Sequence, residues 1–406
     1  MDLLEPVTQP YAWGSHTAIA ELQGRPAPTA GPEAELWMGA HPSAPSGLDR
    51  SGARTTLDAV IAADPPRELG AECAVRFGGR LPFLLKVLAA EQALSIQVHP
   101  SREQAQAGYQ AENARGLAPG DKSRNYVDDW PKPEILCALT RFEVLAGMRT
   151  TADAAALLRA LGVAALEPLA AGLAGTADPA ALTRALAGIL TWPAEGRAAL
   201  VAAVAAACER VAAQAGQYAA ACAATVRLAG EHPGDLGVVA SLLLRHAVLG
   251  PGEAVFLPAG GPHAYLHGTG VELLANSDNV VRAGLTGKHI DVPELLKLLD
   301  PAALVPVIEP RPVGVHGDGR VCVYDSPAPE FRLHRAELRA AELVLPGDGG
   351  ARIALCTEGA AVLRASSGTL KLPRGEACFL SAADGPVSAS GPASLFIAGD
   401  GIGAPG

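Results

Sequence analysis

Gly252-Glu253-Ala254-Val255-Phe256-Leu257-Pro258-Ala259-Gly260-Gly261-Pro262-His263 decides how this chain folds. Turn formers stand at both ends of one apolar run, spaced Gly-x5-Pro-x-Gly-x2-His, so the segment reads as a single short strand that delivers His263 at its exit. Two further segments have the same character. Leu94-Ser95-Ile96-Gln97-Val98-His99-Pro100 alternates strictly, which puts Ser95, Gln97 and His99 on one face and Leu94, Ile96 and Val98 on the other. Alone, it also fits a half-exposed strand with a solvated polar face. In Trp130-Pro131-Lys132-Pro133-Glu134-Ile135, Lys132 and Glu134 share a face, and the flanking prolines hold the carboxylate in rigid extended backbone. Alone, this too fits an edge strand blunted by charge and proline.

The spacing around His263 fits the second motif of cupins, whose strand opens into the mouth of a jelly roll. The rest of the chain agrees with a mainly β protein carrying a helical insert. From Met1 to about Arg149, short apolar runs such as Leu81–Leu88 and Ile135–Leu139 are separated by turn residues. From Thr150 to about His246, alanine and leucine recur at helical spacing, in Ala154–Leu161, Ala180–Leu190, Arg197–Arg227 and Leu236–Arg245, which predicts four or five helices. Strand texture returns after Gly250, with runs at Arg352–Cys356, Ala361–Arg364 and Ala377–Leu380. This order contains no βαβαβ pattern, so a doubly wound parallel sheet is not expected. The expected organisation is a discontinuous cupin domain from residues 1–149 and 246–312, an α-helical insert from 150–245, and a second jelly-roll-like domain from 313–406. The last echoes the cupin strand at Gly375–Ser381 but has no histidine after it, so no metal site is expected there.

Composition narrows the function. With 49% hydrophobic and 18% charged residues, the 406-residue chain lies far from the disordered corner. A net charge of −10 speaks against a general nucleic-acid binder, so an anionic ligand has to meet a local cluster of cations. The seven cysteines are scattered and form no Cys-x-x-Cys, which fits reduced, buried thiols. No signal peptide or membrane span is apparent, and the expected location is the cytoplasm.

Gln97, His99, Glu134 and His263 together offer one amide oxygen, two imidazoles and one carboxylate, enough for a metal site with room for substrate. With Zn²⁺ such a site keeps a formal charge of +1, suited to polarising a carbonyl and stabilising an enediolate oxygen.

Further motifs extend this: Tyr11-x-Trp13-Gly14, Ala34-Glu35-Leu36-Trp37-Met38-Gly39-Ala40-His41-Pro42, Leu84-Leu85-Lys86-Val87-Leu88, His263-Ala264-Tyr265-Leu266 and Ser277-Asp278-Asn279-Val280-Val281-Arg282-Ala283-Gly284-Leu285-Thr286. With the segments above, they closely resemble type I phosphomannose isomerases, in order, over about residues 1–300. The resemblance implies a zinc-dependent aldose–ketose isomerase acting on a small phosphorylated sugar, with Gln97, His99, Glu134 and His263 as zinc ligands, one zinc per chain. It implies Arg282 as a catalytic residue and Trp13, Lys86, Ser95, Lys132, Tyr265, Glu272, Asp278 and Lys288 as groups lining the site. The general base stays open among Glu272, Lys132 and a metal-bound water. Expected partners are the sugar phosphate alone, with no nucleic acid or membrane, in a monomer or weak homodimer.

Two departures from the family pattern stand out. Gly287 replaces its usual proline before Lys288, which loosens that loop. The alanine-rich insert carries no family motif. Two rival readings are a cupin-type Fe(II) dioxygenase and a cupin that binds sugar phosphate without turning it over.

Overall fold

Two turn glycines set the geometry of the strand that leads to His263. Gly252 has φ +90° and Gly260 φ +77°, conformations open to glycine but strained for other residues. Between them runs the strand Ala254–Leu257, buried along its whole length. A Cβ on Gly260 would lie 2.9 Å from Asp300 Cβ. Its N–H donates to the His99 carbonyl at 2.9 Å, which ties this turn to the Gln97–His99 segment.

The structure is a computed structural model describing residues 1–402 except 119, 122, 317–318, 340–341 and 348. Among the described residues, strands between 7 and 308 form an eleven-stranded sheet. A twelve-stranded sheet holds the strands of 311–399 together with Asp2–Glu5, Gly47–Arg50 and Ala53–Thr56. The pairings are antiparallel, as between Phe83–Ala90 and His263–Ala275 or Arg332–Leu338 and Ala393–Gly399. The molecule is therefore sheet-rich with helices, and the expected absence of a doubly wound parallel sheet agrees with these pairings.

The helices differ in detail from the sequence reading. The first 149 residues also hold Leu57–Ala63, Pro65–Leu69, Ala71–Arg76 and Arg102–Ala114. The first three are too short for periodicity to reveal. Asp64 Oδ1 accepts the Arg67 N–H at 3.2 Å to start the second of them, and Gly70 at φ +88° ends it. The fourth is announced by a reciprocal cap between Ser101 and Gln104. Arg197–Arg227 is two helices, Arg197–Ala212 and Ala219–Glu231, parted where glycine and glutamine interrupt the alanine run. Leu236–Arg245 becomes the short helix Gly237–Ala240, a 3-10 turn, and the start of the strand Leu244–Leu249. Arg352–Cys356 and Ala361–Arg364 join into one strand, Arg352–Ala365, with an irregularity between Cys356 and Glu358.

The apolar helix faces pack directly behind the strands that carry polar residues. Leu157, Leu158, Leu186, Ile189, Val204 and Leu228 share one core with Ile96, Val98 and Val281. Each such side chain, fully buried, stabilises the fold by about 1.5–3 kcal/mol. The other face of the Gln97 strand is thereby left to the cavity. All seven cysteines are free and buried. No helix among the described residues is long and apolar enough to cross a membrane.

Candidate active site

Strand register builds the site in two cross-strand rows. In one, Trp37 stands opposite Lys86 and Lys86 opposite Glu272. In the other, His263 stands opposite Gln97 and Gln97 opposite Arg282. Residues paired in this way share a face, so motifs far apart in the chain converge. They line one cavity of about 420 Å³. Trp13, Lys86, Ser95, Gln97, Lys132, Glu134, His263, Tyr265, Glu272, Asp278, Arg282 and Lys288 all face it. His99, 1% exposed, lies behind this wall against Glu134.

Glu134, 4% exposed, receives both imidazoles. His99 Nε2 is 3.3 Å from its Oε1 and His263 Nε2 is 3.5 Å from its Oε2. The opposite ring nitrogens are anchored on backbone carbonyls: His99 Nδ1 on Asn279 at 2.9 Å and His263 Nδ1 on Gly261 at 3.2 Å. Such anchoring orients a metal-binding histidine and fixes its tautomer. The buried His99 Nε2 has no hydrogen-bond partner, a costly state unless the nitrogen binds something else. One ligand atom from each of His99, Glu134 and His263 lies within 4.8 Å of the others. The Gln97 amide nitrogen donates to Ser95 Oγ at 3.3 Å, which reserves its oxygen for another partner. Two imidazoles, a carboxylate and an amide oxygen fit a divalent zinc-like ion.

The electrostatics divide the site. Burial pushes His99 down to about 4, so it is neutral and able to donate a lone pair at pH 7. Burial pushes the Glu134 carboxyl up, but its contacts with His99, with Lys132 at 3.3 Å and with His263 outweigh it, and Glu134 sits well below the usual range. Tyr265, raised by burial and by Glu272 and Glu134, keeps its proton and points it at Glu134 Oε2 at 3.5 Å.

Beside this centre, Lys86 Nζ lies 3.4 Å from Glu35 Oε2 and 3.4 Å from Glu272 Oε2, and 4.9 Å from the centre of the Trp37 ring. Burial lowers the Lys86 pKa, but Glu35, Glu272 and Glu134 outweigh it and raise the net value. Two carboxylates compete for that one ammonium. Burial, opposed by Lys86 and helped by Glu134 and Glu35, brings Glu272 up to about 7. Asp278 does not pair with Arg282; it turns to His41 Nε2 at 3.3 Å. Arg282 is lowered by burial, and Lys288 by burial and then by Arg282, so two cations sit close together.

Among the cavity residues given no role from the sequence are Tyr11, Glu35 and His232. Tyr11 stacks on Trp13 with ring centres 5.8 Å apart. Glu35 could have been found, because it alternates with Trp37 on the same strand. His232 gives no sequence signal.

A paired-histidine and carboxylate centre flooring a cavity with unspent cations defines a metal-site protein suited to an oxygen-rich, anionic ligand. Comparison with known proteins specifies which kind. The model of the phosphomannose isomerase type I catalytic domain matches residues 1–151. Mannose-6-phosphate isomerase of Salmonella typhimurium is 39% identical over 396 residues, covering 95% of this chain and 96% of that protein. The Homo sapiens mannose-6-phosphate isomerase is 33% identical, with 90% and 87% covered. Among solved structures, a zinc-bound holo form of mannose 6-phosphate isomerase superposes with a TM-score of 0.88 at 36% identity, covering 99% of each chain. A mutant of the Salmonella typhimurium phosphomannose isomerase gives 0.90 at 36% identity, covering 99% of this chain and 100% of that one. This chain belongs to the type I mannose-6-phosphate isomerase family.

Proposed function

We propose that the protein is a zinc-dependent aldose–ketose isomerase that interconverts mannose 6-phosphate and fructose 6-phosphate through a cis-enediol. The observation that carries this is the buried His99–Glu134–His263 set opening into the same cavity as Glu272 and the Arg282–Lys288 pair. Gln97, His99, Glu134 and His263 would hold zinc, which when bound supplies Lewis-acid stabilisation of oxygen charge.

The protein's own groups then have distinct tasks. Glu272, poised near 7, takes the C2 proton of the open-chain aldose and returns it to C1. Lys86 holds that carboxyl in place. As the C2–H bond breaks, charge grows on O1, which takes up the proton that leaves O2; Glu272 then returns its proton to C1 and the C2 ketone forms. Lys132 and Arg282 face that charge as fixed cations. Ser95 and Lys288 meet the phosphoryl group, while Trp13 and Asp278 close the sugar side.

This reading keeps residues 1–149 and 246–312 as a cupin-type catalytic unit, 150–245 as the helical insert and 313–406 as a second jelly-roll-like unit. Two features support it: the helices between Thr151 and Ala240, and the metal-type cluster confined to the first unit among the described residues. The free cysteines support a cytoplasmic location, and we place the protein there as a monomer or weak homodimer. The test is metal analysis of purified protein combined with an anaerobic coupled assay on mannose 6-phosphate. About one zinc per chain with turnover is expected. Turnover that needs oxygen would favour a dioxygenase, and tight binding without turnover would favour a sensor.

A further inference from the structure

The alanine-rich helical segment reaches into the cavity with one side chain, the imidazole of His232. This residue caps the C-terminal end of the helix Ala219–Glu231 and is half-buried. Contacts on either side fix its place along the wall. Glu231 Oε2 accepts the backbone N–H of Ala93 at 3.0 Å, two residues before Ser95. Asp235 Oδ2 accepts the N–H of Thr286 at 3.0 Å, two residues before Lys288. Gly237 packs so closely that a Cβ there would lie 2.4 Å from the Leu285 nitrogen. His232 is therefore pinned between the Ser95 and Lys288 segments. Its ring has no hydrogen-bond partner among the described residues, and His232 lines the same cavity as Arg282 and Lys288. Neither cation has a carboxylate in ion-pair range among the described residues.

We infer that His232 donates a ring N–H to a phosphoryl oxygen of the bound sugar phosphate, so that the helical segment completes the anion end of the site. The inference rests on the isomerase reading for the identity of the ligand. A neutral imidazole suffices, since one ring nitrogen always carries a proton. The terminal oxygens of a phosphoryl group accept more hydrogen bonds than Lys288 and Ser95 supply.

The test compares wild type, His232→Ala and His232→Gln. Measured are KM and kcat for mannose 6-phosphate, and the affinity for inorganic phosphate by calorimetry. His232→Ala should raise KM and weaken phosphate about tenfold each, the loss of one hydrogen bond to a charged group. Its kcat should change less than about threefold, because the contact is equal in ground and transition states. His232→Gln, which keeps an N–H donor, should recover part of both losses. Unchanged phosphate affinity in His232→Ala would overturn the inference. Equal losses in both variants with a lowered melting temperature would overturn it in favour of a purely structural cap. Wild type that binds phosphate but does not turn over mannose 6-phosphate would sink the isomerase reading, while the calorimetry still decides on His232.

Discussion

Replacing Glu272 with glutamine should make the protein more stable and nearly inactive together. Glu272 is buried, with Lys86 at 3.4 Å and a second carboxylate, Glu35, on the same ammonium. Its surroundings raise it from an ordinary 4.5 to about 7. In the unfolded chain it ionises near the ordinary value, so the unfolded state releases this proton first. Rising pH therefore favours unfolding through the window between about 4.5 and 7. A gap of about 2.5 pH units at 1.36 kcal/mol each comes to roughly 3 kcal/mol of stability absent above pH 7. Glutamine has no proton to release. In urea unfolding of zinc-stripped protein, where no bound ion enters the electrostatics, the variant's lead over wild type should widen by about 2.5 kcal/mol between pH 5 and pH 8. The same variant, reloaded with zinc, should lose about 10²–10⁴ in kcat as the proton carrier is removed. Parallel stability curves across that range would show that Glu272 is not held up by its neighbours and would remove the ground for making it the base.

Chelation should abolish turnover and zinc restore it, and His99→Ala or His263→Ala should lose both metal, by elemental analysis, and activity; full activity of metal-free protein would refute the site. Arg282→Ala should retain zinc while lowering kcat about 10²-fold, the scale of one lost preorganised charge; a rise in KM alone would make Arg282 a phosphate anchor instead. Gly287→Ala should raise the calorimetric stability by about 0.4–1 kcal/mol, since a Cβ there meets nothing within 4 Å and the unfolded chain becomes less free. A lowered melting temperature would show that Gly287 needs its freedom in the folded loop.

What could be read from the sequence was local. The alternation around Gln97 and the turn spacing before His263 follow from steric rules acting over a few residues, and the structure brings those side chains to one cavity. The short helices of 57–76 escaped because Pro65, Pro66 and Gly70 cut them below one amphipathic period. The pairing of Asp2–Glu5 with Ala377–Leu380 also escaped, since nothing in either segment names a partner at the far end of the chain. Asp278 stands four residues before Arg282, a spacing that would pair them on a helix. The chain runs extended there, so the helical spacing rule does not apply, and the carboxylate turns to His41. His232 was invisible because its role depends on where the C-terminal end of a helix docks, and helical periodicity is silent about that.

The strands Phe142–Met148 and Leu244–Leu249 pair side by side, although the whole helical segment lies between them. For a disordered chain that pairing means closing a long loop, at an entropic cost that grows with the logarithm of its length. Helices form from near neighbours in microseconds, and once formed they shorten the path between the two strands. Glu134 lies before this segment and His263 after it, so the ligands from the two halves of the chain meet only after the loop is closed. Metal capture is thus placed late in folding, and the rate at which newly made protein becomes competent to bind zinc should follow the helix-forming strength of the alanine run rather than the chemistry of the ligands.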